Sequence, residues 1–275
     1  MTSEVTPSGG IVVDTMTGGL SGVTAGYLIP APRPVLVECG PARSIEATIA
    51  GMRALGLDPD DLAWLVVTHV HLDHAGGAGD LMAAFPNARV VVSPLGARHL
   101  VDPVRLNASA RRVYGPLFDS VYGPCSPVPA DRVVAAEDGH TLDLGAGRRL
   151  EIMETPGHAK HHIAAYDPDH GAIYSGDSVG VRIEGMRTLR PATPPADFNL
   201  GTMLESLARY RERGPEHLLL AHFGEVGSPA DVLAEAEDRV RAWVAAVESF
   251  RPDVPGHEDE IDHVASMLVA RFAED

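Results

Sequence analysis

The sequence predicts an α/β protein in which β-sheets pack together with helices outside. Three observations carry that expectation. Strand-like apolar runs fall in two halves of the chain, and each half is followed by segments of helical pattern. The run LAWLVVT (62–68) is continuously apolar, as expected of a strand covered on both faces. No short-period repeat or linker separates the halves, so one large domain over residues 1–275 is expected, with 228–275 as a C-terminal helical extension.

After a polar lead, IVVD (11–14), VTAGYLI (23–29) and PVLVE (34–38) read as strands punctuated by Gly and Pro. From Ser44, the residues Ile45, Ile49 and Met52 recur on one helical face, and Gly56 stands where that helix would stop. Residues GGAGDLMAAFP have helical composition ending at Pro86, and RVVVS (89–93) is a short strand. Five prolines interrupt residues 95–131, which predicts short helices and a long loop of the kind that borders a site.

Strands resume at TLDL (141–144), RLEIMET (149–155), HIAAY (162–166) and AIYSG (172–176), joined by Asp, Gly and Pro turns. A Pro-rich loop (191–198) precedes a helix over about 200–213, and HLLLAH (217–222) is a last buried strand. Ser228 and Pro229 supply an N-cap and first helical residue for a helix to about Phe250. A final amphipathic helix would use Ile261, Val264, Met267, Leu268 and Phe272.

Composition narrows the function classes. Apolar residues make up 45% of the 275 residues against 22% charged, enough for a sizeable core. The net charge of −16 repels phosphate backbones and anionic lipid, so neither nucleic acid nor a membrane is the expected partner. Only Cys39 and Cys125 occur, too few for a disulfide framework. The stretch MTSEVTPSGG lacks a basic segment leading into an apolar one, and no apolar run approaches membrane-spanning length. A soluble, cytoplasmic protein acting on a small molecule is expected, with homodimerisation left open.

The chemistry concentrates in HVHLDH. His69, His71, Asp73 and His74 occupy six positions at the end of a buried strand. Alternate side chains of extended backbone face one way, and a turn at Asp73-His74 presents two more to a neighbouring point, so one cluster can feed two metal ions. Imidazole and carboxylate suit zinc, with iron or manganese also compatible. Ala75-Gly76-Gly77 offers no bulk, which would let backbone approach the ions. Three more ligand-type residues stand where chain leaves strand: His158 after RLEIMETPG, Asp177 after AIYSG and His222 after HLLLA.

With HVHLDH, TPGH, SGD and the late His222 in that order, residues 11–225 resemble the metallo-β-lactamase-fold hydrolases, the group that includes lactonases and glyoxalase II. The resemblance implies a four-layer αβ/βα sandwich of two mixed β-sheets flanked by helices, holding a dinuclear centre. Carried over residue by residue, it implies that His69, His71 and His158 bind one ion, that Asp73, His74 and His222 bind the other, and that Asp177 bridges them. Two cations lower the pKa of a shared water, and the resulting hydroxide can attack an ester, lactone or thioester while a metal steadies the oxyanion. Asp73, besides ligation, is the candidate proton acceptor.

Around the metals, His161 and His162 would face opposite ways in an extended strand, which places at most one beside the site. Arg182, Arg187 and Arg190 on the loop after Asp177 are candidates to clamp a substrate anion, and Tyr114 and Tyr122 to donate a phenol. Glyoxalase II-like thioesterases carry a histidine where Val70 stands, whereas lactonases share the HxHxDHAGG form of residues 69–77. Rival readings are a mononuclear iron oxygenase resembling persulfide dioxygenases and a metal-binding protein without catalysis.

Overall fold

The computed structural model describes residues 5–194 and 196–249. In the first half, strands β1 (Ile11–Asp14), β2 (Ala25–Ile29) and β3 (Val35–Val37) form a meander, and helix α1 (Ile45–Ala54) crosses over to β4 (Trp64–Val66). Helices α2 (Leu72–Ala75) and α3 (Ala78–Ala84) lead to β5 (Arg89–Val92). Then come α4 (Pro94–Val101), α5 (Val104–Tyr114) and a wide helical turn at Phe118–Tyr122 before β6 (Val133–Ala135). The six strands lie side by side in chain order, antiparallel through β3 and parallel from β3 to β6.

The second half builds an equal sheet from β7 (Thr141–Gly145), β8 (Arg148–Glu154), β9 (Ile163–Asp167), β10 (Ala172–Tyr174), β11 (His217–Leu220) and β12 (Gly224–Glu225). Helix α6 (Leu200–Arg213) connects β10 to its parallel neighbour β11, and α7 (Pro229–Ser249) follows β12. Both sheets are therefore mixed, as the resemblance implied. β6 and β12 were not foreseen; each is short and only partly buried, at the margin of its sheet. The expected helix around 261–272 lies outside the described residues.

Three apolar layers explain the stacking. Leu36, Leu65, Val90, Ile49 and Leu81 fill the space between the first sheet and its helices. Tyr27, Val37, Val66, Ile152, Ile163 and Leu219 fill the space between the sheets. Leu218, Leu220, Leu207, Tyr210 and Leu233 seat α6 and α7 on the second sheet. A sheet whose two faces both meet apolar layers needs continuous apolar strands, and AGYLI and WLV are buried throughout for that reason. Each Leu, Ile or Val among them, fully buried, is worth about 1.5–3 kcal/mol.

Strand direction brings the chemistry to one edge. β8, β9 and β10 alternate in direction while β10 and β11 run parallel, so the C-terminal ends of β8, β10 and β11 share an edge. The C-terminal end of β4 is tied to the same edge, because Ile163 N–H donates to Thr68 O at 2.8 Å. His69, His158, Asp177 and His222 all follow those four strand ends within a few residues. Among the described residues no helix is long and apolar enough to cross a membrane.

Candidate metal centre

After β4 the chain bends at Thr68-His69, is extended at His71, and then enters the single helical turn α2. That change of backbone aims His69 and His71 at one point and Asp73 and His74 at another. His71 Nδ1 lies 3.0 Å from His69 Nε2 and 3.1 Å from His158 Nε2, so three imidazole nitrogens crowd one point. Next to it, His222 Nε2 stands 3.4 Å from Asp73 Oδ2, and His74 Nε2 stands 3.5 Å from the same oxygen. Asp177 lies between the sets: Oδ2 is 3.6 Å from His158 Nε2, while Oδ1 is 3.5 Å from His74 Nε2 and 3.6 Å from His222 Nε2. All seven ligand candidates converge on one place.

Proton bookkeeping shows which nitrogens have lone pairs to offer. His158 Nδ1 donates to Ala192 O at 3.0 Å and His222 Nδ1 to Val23 O at 2.8 Å, which leaves both Nε2 atoms as acceptors towards the cluster. Thr68 gives its hydroxyl proton to Glu38 Oε1 and accepts from His69 Nδ1 at 2.9 Å, so His69 Nε2 is an acceptor as well. The His69 and His158 lone pairs both point at His71 Nδ1, whose single ring proton cannot satisfy the two fully, whereas a cation among them can.

The electrostatics differ between the sets. Burial holds His69 well below the usual imidazole range and His71 at about 4, so both are neutral at pH 7. His74 and His222 are raised despite burial, because Asp177 and Asp73 face them. Burial would raise both aspartates, yet His74 and His222 hold them below the carboxylate range. Positive charge is thus demanded beside Asp73 and Asp177, and His74 Nε2 and Asp177 Oδ1, both buried, have no hydrogen-bond partner. At 3.5 Å these two attract as charges without meeting as a hydrogen bond. Orphaned donors and acceptors of this type fit divalent metal ions, and His69, His71 and His158, or Asp73, His74 and His222, lie close enough to share one.

Several supporting residues were not foreseen. Glu38 is buried at the end of β3 with a left-handed backbone, joined to Thr68 and lying 3.4 Å from His74 Nδ1. The only sequence signal was an acid closing the apolar strand PVLVE. His161 and His162 were expected to diverge, but β9 begins at Ile163; both sit in a turn and both flank the centre. His162 accepts from Asp177 N–H at 3.2 Å and bonds Thr155 Oγ1 at 2.8 Å, while the His161 ring lies 6.2 Å from that of His71.

Other expectations are corrected. A Cβ at Gly77 would strike Ile45, and one at Gly76 would come within 3.1 Å of Ala42 N. The small residues therefore let the α2 region pack on the chain around 41–45, not on ions. Arg182 pairs with Glu235 of α7 at 3.2 Å instead of facing the centre. Arg190 pairs through its backbone with Val181, and Arg187 is exposed. Tyr122 stacks at 4.4 Å on Tyr114, and of the two it is Tyr114 that lines the cleft above the centre. Val70 is buried against α4 at Gly96, so that position serves packing.

The cleft measures about 1110 Å³ and has His71, Asp73, His158, Asp177 and His222 on its floor, with α4 and α5 on one side and residues 192–194, 196 and 197 on the other. Burial, then Asp73, pushes the Tyr114 phenol up, so it stays protonated there.

Known proteins resemble this chain in sequence and in fold. A metallo-beta-lactamase fold-containing protein of Sulfurisphaera tokodaii is 33% identical over 215 residues, 76% of this chain and 79% of its own. A hydroxyacylglutathione hydrolase of Aeromonas hydrophila is 30% identical over 134 residues, 49% of this chain and 39% of that protein. The solved structure of an archaeal metallo-beta-lactamase superfamily protein from Sulfolobus tokodaii superimposes with a TM-score of 0.66 at 28% identity, covering 89% of this chain and 90% of its own. A subclass B3 metallo-beta-lactamase from a soil metagenome library, at 20% identity and TM-score 0.64, covers 90% of this chain and 97% of its own and shares the fold. The profile of the Metallo-beta-lactamase superfamily matches residues 18–222, from the first meander to the last histidine of the cluster, and the chain belongs to that superfamily.

Proposed function

We propose that this protein is a dinuclear zinc hydrolase that cleaves an ester, lactone or thioester of a small molecule. The observation that carries the reading is Asp177, whose two oxygens face two separate histidine sets. A site for one ion would not need both. His69, His71 and His158 would hold one ion, Asp73, His74 and His222 the other, with Asp177 shared. Ions bound there supply a Lewis acid and a water acidic enough to act as a nucleophile at neutral pH.

The chain's own groups do the remaining work. Asp73, ionised and within 3.4 Å of His222 Nε2, is placed to accept or relay the proton released on attack. Tyr114 keeps its proton and can donate to the developing oxyanion or to the leaving oxygen. Thr68, Glu38, Ala192 and Val23 hold the imidazoles in the tautomer that ligation requires. Similarity to a hydroxyacylglutathione hydrolase supports a thioester, and the lactonase-like form of residues 69–77 supports a lactone. The net charge of −16 supports a small-molecule substrate over a nucleic acid, in a cytoplasmic protein.

The test is metal analysis of the purified protein together with a panel of lactones, thioesters, carboxylic esters and phosphoesters. Two zinc ions per chain and metal-dependent hydrolysis are expected. One iron per chain with oxygen consumption would replace the hydrolase by an oxygenase. Hydrolysis undiminished after the folded protein is stripped of metal would remove the mechanism.

A further inference from the structure

The mouth of the cleft has a charge opposite to that of the chain. Among the described residues most arginines away from the cleft meet a carboxylate, as in Arg33 with Asp143, Arg148 with Asp167, Arg209 with Asp138 and Arg213 with Glu151. Arg98 on α4 and Arg105 and Arg112 on α5 line the cleft, and among the described residues none has a carboxylate within ion-pair distance. Arg105 and Arg112 are seven residues apart, two helical turns, so they project from the same side of α5. Lys160, the chain's only lysine, completes the rim and is already paired with Asp197 at 3.3 Å. Above the metal-ligating aspartates the wall thus carries three uncompensated positive charges, in a chain of net charge −16.

Apolar surface accompanies the charge. Leu95 at 57% and Val113 at 71% exposure stand among the arginines, and the half-buried Leu106 lines the wall with them. Apolar side chains grouped along a cleft and rimmed by polar residues mark a ligand groove, and here they face the space above the centre.

We propose that the substrate is an amphipathic anion: its apolar part lies on Leu95, Leu106 and Val113, and Arg105, Arg112 and Arg98 grip a carboxylate or phosphate remote from the bond that is cleaved. Guanidinium groups match both anions bidentately, and a positive wall in a negative protein steers such a ligand to the cleft. The word substrate rests on the hydrolase reading; the anion site does not.

Two measurements separate these. Calorimetry of the metal-loaded full chain with octyl phosphate, octanoate and octanol is expected to show both anions binding at least about tenfold more tightly than the alcohol, less so in high salt. That preference should collapse in R105A/R112A and return in part in R105K/R112K. Anion binding that persists in R105A/R112A belongs to the metals and overturns the proposal, as does equal affinity for all three ligands. Phosphate preferred over carboxylate, or the reverse, identifies which anion the site takes. In parallel, octanoyl thioesters with neutral, carboxylate-bearing and phosphate-bearing leaving groups are compared by kcat/KM. A preference of about tenfold for the charged members that falls towards one in R105A/R112A supports the proposal. No hydrolysis of any member, with anion binding intact, counts against the hydrolase reading alone.

Discussion

At the floor of the cleft, His69, His158 and His222 each have the nitrogen that faces away from the cluster tied to a hydroxyl or carbonyl at 2.8–3.0 Å. At its mouth, Arg105 and Arg112 project from an exposed helix with no carboxylate partner among the described residues, and Val113 beside them is largely exposed. The floor is assembled from four strand ends on two sheets, whereas the arginines of the mouth stand on α4 and α5. The contrast separates chemistry from recognition. Groups that hold ions must be immobile and dry, whereas groups that select a ligand stay solvated until it arrives. Changes at the floor should therefore abolish turnover, and changes at the mouth should alter preference.

The largest effect belongs to Asp177. D177N keeps the side-chain size but loses the charge that faces both sets, and kcat/KM is expected to fall at least about 10³-fold, as on loss of a principal charge-stabilising group. Metal content should fall with it. Normal turnover and two ions in folded D177N would break the comparison at its strongest point.

Next comes T68V, which removes the hydroxyl between Glu38 and His69. Metal affinity, read by chelator competition, should weaken about 10–100-fold, as expected when a ligand's supporting hydrogen bond is lost. Glu38 left buried without its partner adds a destabilisation of about 1–3 kcal/mol. An unchanged affinity would mean the floor is not held from behind.

His161 stands between the two regions. Burial keeps its ring at about 4. Below about pH 6.5 the unfolded chain takes up that proton first, so stability is lost as pH falls from 6.5 towards 4. H161Q should flatten this part of the profile by about 1–2 kcal/mol, a value held down by the ring's partial exposure. Denaturant titrations of chelator-treated protein at pH 7 and pH 4.5 measure it. The smallest effect is expected for R182M: its ion pair with Glu235 is partly exposed and worth less than about 1 kcal/mol, and KM should not move.

The same contrast governs what could be read before the structure. HVHLDH was legible because four ligand-type residues fall within six positions, so local backbone geometry alone brings them together. His158, Asp177 and His222 were legible because each follows an apolar strand, and strands of a sheet share edges. Glu38 was not, since its role depends on β3 and β4 lying side by side, with Thr68 reaching it across the pair. Arg105 and Arg112 were passed over in favour of Arg182 and Arg190, which lie nearer Asp177 in sequence. Nearness along the chain misled there: the 178–190 segment turns back onto α7, while the Pro-interrupted stretch folds into two helices that reach over the centre.

Each histidine set draws on both halves of the sandwich. His69 and His71 with His158 span one pair of strand ends, and Asp73 and His74 with His222 span another. Any ion so held is also a rivet between the sheets, closing chain loops of 89 residues between His69 and His158 and of 148 between His74 and His222. Cys39 and Cys125 are both unbridged, so no covalent tie does that work. Losing the ions should therefore loosen the seam between the sheets as well as silence the chemistry, and protease sensitivity at the edge near Thr68 and Ile163 would report it.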